Sequence, residues 1–315
     1  MALIECVPNV SEGRDRETLD AIASAVESVA EVALLDVDAD RWHNRTVYTF
    51  AGPVEAVGEA AFRLVREASE RIDLRRHRGQ HPRIGAADVV PFVPLDSLDL
   101  GRLEGAGITA CTGLAGRIGQ RIAGELGIPV FLYGKAARRP ERTVPAPFRR
   151  GGFEALREAI GRDPERLPDF GPGRVHPSAG ATAVGSRPLL VAYNVFLETG
   201  DVEVARSIAR GIRESSGGLS SVQALGFLVG GRAQVSTNLL DVDVTPPARV
   251  WRAVREAAGR HGTEAVGAEI VGLAPERCLP ADAREAAGLQ VDPASRALEP
   301  RLRRAFEVTG PGPGA

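Results

Sequence analysis

The chain has 315 residues, 43% of them apolar and 5% aromatic, which allows one large domain or two of ordinary size with real cores. A formal net charge of −2 leaves no overall basic footprint for nucleic acid, and no apolar run is long enough to span a bilayer. Three widely spaced cysteines (Cys6, Cys111, Cys278) without a Cys-x-x-Cys, and an N-terminus without signal-peptide features, point to a reduced, cytoplasmic setting rather than to a disulfide framework or zinc site.

Residues 3–7 form a short apolar strand, and residues 15–29 place Leu19, Ile22, Val26 and Val29 at helical spacing. A continuous apolar run at 32–37 predicts a buried strand, and 44–51 alternate as a second one through Thr46-Val47-Tyr48-Thr49-Phe50. Pro53 opens a helix where its missing N–H costs nothing; Val54, Val57, Ala61, Leu64 and Ala68 share one face of it. Residues 88–94 supply a further strand, completing the order β-α-β-β-α-β. A helix near 114–126, a strand at 129–133 and a Gly/Pro/Arg-rich connector over roughly 138–188 follow, the connector holding one helix near 153–160.

From Pro188 the order returns. Strand 189–197 leads to helix 202–215, and strands 221–229 and 233–244 join through Gly230-Gly231-Arg232 as a tight hairpin. Pro246-Pro247 open a helix and 265–271 close the set. The expected fold class is α/β (α+β), with two ferredoxin-like β-α-β-β-α-β subdomains, each an antiparallel sheet carrying both helices on one side. Residues 1–180 are assigned to the first, catalytic subdomain with its connector, 181–305 to the second, and 306–315 to a disordered tail. No residue-level identity links the halves, so the duplication is one of pattern.

The halves differ in decoration. The first hairpin is long and polar over residues 36–45, where its counterpart is three residues of glycine and arginine. Only the first half carries Arg75-Arg76-His77-Arg78-Gly79-Gln80-His81-Pro82-Arg83-Ile84-Gly85 ahead of its fourth strand. Histidine takes and gives protons near neutral pH, and arginine grips carboxylates with a rigid fork, so this stretch suits proton traffic on an anionic substrate. A solvated basic loop has the same composition, and because Lys135 is the single lysine, each arginine carries less information. His77 and His81 are four apart, but Gly79 and Pro82 oppose a helix and the flanking arginines repel a cation, so no metal is expected.

Asp36, Asp38 and Asp40 alternate, so at most two are expected to share a direction at a strand end. They either solvate that end, or Asp38 orients a catalytic group. Asn44 and Arg45 could hold a ligand carboxylate, while Asn44 could equally just end the hairpin. Residues 169–185 lack the ending of a P-loop, and no GxGxxG follows a strand into a helix, which leaves a nicotinamide site without support. Cys6 reads as a small buried hydrophobe rather than a nucleophile.

Several segments together resemble the glutamate formimidoyltransferase family: Glu5-Cys6-Val7-Pro8-Asn9-Val10-Ser11-Glu12-Gly13, Leu34-Leu35-Asp36-Val37-Asp38-Ala39, Asn44-Arg45-Thr46-Val47-Tyr48-Thr49-Phe50 and Gly79-Gln80-His81-Pro82-Arg83-Ile84-Gly85-Ala86-Ala87-Asp88. Pro129-Val130-Phe131-Leu132-Tyr133-Gly134, Val222-Gln223-Ala224-Leu225-Gly226 and Ala233-Gln234-Val235-Ser236-Thr237-Asn238 continue it in order to about residue 290. The resemblance implies a ligand groove between the two subdomains and transfer of a formimino group from N-formimidoyl-L-glutamate to N5 of tetrahydrofolate, a step of histidine degradation in one-carbon metabolism. By the same resemblance His81 is the catalytic acid/base, and Asp38 holds or polarises its imidazole or the amidinium. Asn44, Arg45 and Arg83 become carboxylate holders, and Asp169, Phe170, Gly171, Pro172 and Gly173 the folate-contacting region.

Tetrahydrofolate is then the co-substrate, with no metal. Gln80 stands where the family is pictured with an acidic residue, and residues 40–43 are bulkier than expected. Formyl transfer on the same scaffold is the near alternative, and a non-catalytic tandem ferredoxin-like ligand-binding module the distant one; the low aromatic content speaks against RNA. The chain ends before a cyclodeaminase domain of the kind fused to it in animals, so deamination is expected to need a separate enzyme. A homodimer is expected, because a second copy commonly covers the edges or faces of such sheets.

Overall fold

A computed structural model describes residues 2–80, 82–279 and 282–306. The first half runs β1 (Ala2–Cys6), β2 (Asn9–Val10), α1 (Arg16–Glu27), β3 (Ala33–Asp40), β4 (Arg45–Pro53), α2 (Val54–Arg71), β5 (Ala87–Pro94), β6 (Glu104–Gly105), α3 (Ile108–Leu126), β7 (Val130–Gly134), α4 (Ala146–Arg149), α5 (Gly152–Ala159) and β8 (Thr182–Ser186). The second runs β9 (Val191–Leu197), α6 (Val202–Ile212), β10 (Val222–Val229), β11 (Arg232–Leu239), α7 (Pro247–Arg260), β12 (Ala265–Val271), α8 (Ala283–Ala286) and α9 (Leu298–Phe306).

Both repeats share one strand order. In the first, β1 lies between β4 and β5 and β3 flanks β4; in the second, β9 lies between β11 and β12 and β10 flanks β11. This is the split β-α-β arrangement the periodicities predict. The first sheet is larger because β8 and β7 extend it in parallel beyond β5. The sequence reading left β8 in the connector, since Ala181-Thr182-Ala183-Val184-Gly185-Ser186 is small and glycine-bearing. It is fully buried between two neighbours, where small side chains are what a covered central strand tolerates. The boundary at residue 181 is corrected accordingly: the first sheet extends through Ser186.

Alternation sorts every strand residue to one of two faces. Ile4 and Cys6 of β1, Tyr48 and Phe50 of β4, and Val90 and Phe92 of β5 join one core with α1, α2 and α3. Tyr48 also donates to Leu19 O at 2.9 Å, tying the sheet to α1. Val191, Tyr193, Val195 and Leu197 of β9 join a second core with α6 and α7. The residues of opposite parity face away from the helices. A third cluster, Leu3, Leu35, Leu95 and Leu100 with Leu298 and Leu302, shows α9 crossing back onto the first half.

The long polar hairpin expected at 36–45 is shorter: β3 continues to Asp40 and the turn is residues 41–44. All three aspartates therefore share a face, correcting the expectation of two, because residues of equal parity along a continuous strand point one way. Strand 233–244 likewise stops at Leu239. Gly230 and Gly231 both adopt positive φ (57° and 82°), as a two-residue hairpin turn between twisted strands requires. Of the predicted tail, Phe306 closes α9 and residues 307–315 lie outside the described residues.

Candidate active site

The helix-free faces of the two sheets confront each other and enclose a cavity of about 560 Å³. Its walls come from both: Glu5, Val7, Arg45, Val47 and Thr49 on one side, Asn194, Gln223, Phe227, Ser236 and Asn238 on the other. Tyr133, Lys135, Arg149, Ser186 and Arg187 complete the rim from β7, β8 and the connector. Apolar walls with a few convergent polar groups are the usual make-up of a small-molecule site.

Arg45 enters this cavity at the start of β4. Burial pushes its pKa down to about 10, and its Nε has no hydrogen-bond partner. A buried guanidinium without an ion pair among the described residues is poised to receive an anion. Beside it His43 is 9% exposed, meets Phe227 edge-on at 5.3 Å and sits 3.9 Å from the Asp40 carboxylate. Burial lowers its pKa below the ordinary 6.5, with Asp40 and Gln234 opposing, so its ring is neutral at pH 7.

At the far end stands Glu5, 3% exposed in the middle of β1. Burial raises its pKa from the ordinary 4.5 to about 7, despite the opposing field of Arg187. Glu5 pairs with Ala51, six residues along β4 from Arg45, so the two ends are about 20 Å apart at ~3.3 Å per strand residue.

The residues singled out by sequence fall into three groups. Arg45 and Asp38 line the cavity. The Asp38 carboxylate is already engaged, accepting from Gly272 N at 3.0 Å and Arg296 at 2.9 Å. These bonds clamp β3 to the second half. Asn44 and Arg83 do not line the cavity. The Asn44 amide is used up between Gly13 N (2.9 Å) and Arg78 O (3.0 Å), and its φ of 50° marks a turn residue. Arg83 grips Glu154 with two bonds of 2.8 and 2.9 Å and donates to His77 Nδ1 at 3.1 Å. His77 Nε2 lies 2.9 Å from Asn44 O, so that nitrogen carries the proton and the ring is neutral, its pKa lowered chiefly by burial.

Asp169, Phe170, Gly171, Pro172 and Gly173 are also absent from the lining. Asp169 forms a buried ion pair with Arg142 at 2.6 Å and accepts from Leu132 N at 2.7 Å; Phe170 lies under Arg138. The segment braces β7 and lies outside the lining of this cavity.

His81 lies outside the described residues. Its flanks are held firmly. A Cβ on Gly79 would stand 2.2 Å from His43 O, so only glycine permits that approach. Pro82 O accepts from Arg149 at 3.2 Å, and Arg149, which lines the cavity, pairs with Asp88. Burial raises the Cys6 thiol pKa well above its ordinary value, as expected of a core residue. Among the described residues no group of three His, Cys, Asp or Glu side chains is arranged for a metal, and no helix is long and apolar enough to cross a membrane.

Sequence reasoning missed Glu5, Tyr133, Lys135, Arg187 and the amides of the second sheet. The available signal was parity: Glu5 and Gln223 interrupt otherwise apolar strands, and with Ser236 and Asn238 of β11 they stand at positions that face away from the helices.

Comparison with known proteins adds the family. Residues 3–187 match the formiminotransferase domain, N-terminal subdomain, and residues 192–285 match the formiminotransferase domain. A glutamate formimidoyltransferase of Streptococcus pyogenes serotype M1 is 40% identical over 279 residues, covering 88% of this chain and 90% of that one. One from Thermoplasma acidophilum is 45% identical over 283 residues, covering 89% and 90%. A formimidoyltransferase-cyclodeaminase of Rattus norvegicus is 44% identical over 286 residues, which cover 88% of this chain and 51% of that protein.

Proposed function

The chain belongs to the formiminotransferase family, and from that premise we infer that it transfers the formimino group of N-formimidoyl-L-glutamate to N5 of tetrahydrofolate. The observation that carries this reading is the cavity between the two bare sheet faces: it is large enough for a folate-sized ligand, and Arg45 projects into it without an ion pair among the described residues. Arg45 is the proposed holder of a substrate carboxylate, with Lys135 and Arg187 as the further cations of the lining.

In the reaction N5 attacks the amidine carbon, forming a C–N bond and a tetrahedral adduct. N5 then loses its proton, the bond from that carbon to the glutamate nitrogen breaks, and that nitrogen gains a proton. One imidazole can take the first proton and deliver the second, worth typically about 10²- to 10⁴-fold. We assign this to His81, from the family motif it occupies and from the anchoring of Gly79 and Pro82 beside the cavity. The apolar residues of the lining lower the local dielectric around the adduct, and the neutral ring of His43 contributes a hydrogen-bonding wall.

His81→Ala is expected to lower turnover at least about a hundredfold with tetrahydrofolate affinity retained. His43→Gln, assayed in parallel, should change turnover less. Both are followed by folate absorbance with formimidoylglutamate and, separately, formylglutamate as donor. Near-wild-type turnover of His81→Ala would remove the assignment. Preference for the formyl donor would redirect the reaction on the same scaffold. We place the protein in the cytoplasm, in keeping with three buried free thiols, and propose a homodimer whose second copy covers a sheet edge such as β10.

A further inference from the structure

Glu5 is a buried carboxyl that the proton transfers above do not use. It occupies the one inward position of β1 that carries a charge, between Leu3 and Val7, and its 3% exposure is to the cavity it lines. A charge at this depth is costly unless it is paired or meets a complementary ligand. Arg187, the nearest compensating cation, donates to Pro188 O at 3.0 Å, and its field does not overcome burial.

We propose that Glu5 recognises the pterin ring, its carboxylate accepting two parallel hydrogen bonds from N3–H and the 2-amino group. This rests on the folate-dependent reading above and deepens it. A planar donor pair on a cyclic, guanidine-like edge matches a carboxylate as an arginine fork does, and such charge-assisted bidentate pairs are the strong ones. The amidine of the donor substrate offers a similar pair, but its carbon has to sit at the reacting centre. Glu5 pairs with Val93, five residues along β5 from Asp88, where Arg149 joins Asp88 to the Pro82 carbonyl. That separation is about 16 Å along the strand. The 2-amino edge is the part of the pterin remote from N5, so a ring held at that edge by Glu5 directs N5 toward the anchored loop, the Glu5 side chain, its hydrogen bonds and the reacting one-carbon unit making up the rest of the interval. Apolar Val7 and Pro91 of the lining flank the path between.

The charged and titratable groups around Glu5 are Arg187, Glu299 of α9 and the Cys6 thiol, with Tyr133 beside Arg187 and Lys135 on the same wall. The Glu5 carboxyl itself titrates at about 7, and burial also raises Glu299, so protonation of the free Glu5 carboxyl should weaken folate binding as pH falls below about 7.

Wild type and Glu5→Gln are titrated calorimetrically with tetrahydrofolate between pH 6 and 8.5, and p-aminobenzoyl-L-glutamate, which lacks the pterin, is measured as an inhibitor of both. The expected result is a tetrahydrofolate Kd raised about 10- to 100-fold in Glu5→Gln, since a hydrogen bond to a charged group is worth about 1.5–3 kcal/mol. The fragment's inhibition constant and the KM for formimidoylglutamate should stay unchanged, and the wild-type weakening of Kd below about pH 7 should vanish. Glu5→Asp, which keeps the charge with less reach, should fall between. Equal Kd values with equal pH profiles, or a loss confined to formimidoylglutamate, overturn the assignment while leaving the transferase reading intact. Absence of any tetrahydrofolate binding by wild type overturns both.

Discussion

Replacing Glu5 by glutamine should stabilise the ligand-free protein, and by an amount that depends on pH. The carboxyl titrates at about 7 in the fold against an ordinary 4.5, because burial disfavours its charge more than Arg187 favours it. The folded state therefore holds a proton between those values that the unfolded chain has released. Stability attributable to this group is highest below pH 4.5, declines as pH rises, and is lowest above pH 7. At 1.36 kcal/mol per pH unit the full cost at pH 8.5 is about 3 kcal/mol, and at pH 5 it shrinks to about 1 kcal/mol. Glutamine matches the shape of the neutral acid and carries no charge, so it should recover most of that difference. Urea unfolding of both proteins at pH 5 and 8.5, followed by circular dichroism, measures it. A stability gain independent of pH, or a loss at pH 8.5, would refute the reasoning that an uncompensated buried carboxylate stands in this cavity. A variant that gains stability while losing folate affinity would show the trade common at binding sites.

Asp38→Asn and Arg296→Met should each destabilise the protein by about 1–3 kcal/mol, and the double variant by little more than either alone, because the two share one ion pair between the halves; additive losses in thermal or urea unfolding would deny the clamp. Arg45→Met should raise KM for formimidoylglutamate about 10- to 100-fold with no loss of stability, since it removes a desolvated cation that has no ion pair among the described residues and whose desolvation outweighs the fields of Asp88 and Asp40. An unchanged KM would move the carboxylate contact to Lys135 or Arg187.

Much of the architecture could be read from the chain. Helical spacing in α1, α2, α6 and α7 and the alternation of β4 predict the repeated β-α-β-β-α-β order, and both sheets carry the strand order that goes with it. Less of the site could be read, for particular reasons. Asn44 and Arg83 are polar residues in a family motif, yet one caps a turn and the other holds Glu154. Local sequence does not distinguish a side chain spent on its own fold from one kept for a ligand. β8 escaped because periodicity is silent where every residue is small. α9 escaped because its apolar partners, Leu3, Leu35 and Leu95, lie some 200 residues or more away in the chain.

The sequence by itself determined the two sheets, the helices that cover one face of each, and the motif that places the chain in its family. Those depend on interactions within a few residues or between adjacent strands, which local periodicity records. Only the tertiary structure decided that the uncovered faces meet, which turns residues such as Glu5, Arg45, Thr49, Asn194, Gln223 and Ser236 into the walls of a cavity. It also decided that Glu5, an isolated acid in an apolar strand, ends there in low dielectric with its charge uncompensated. Long-range packing sets that environment, and the environment, not the residue type, fixes what a carboxyl can do.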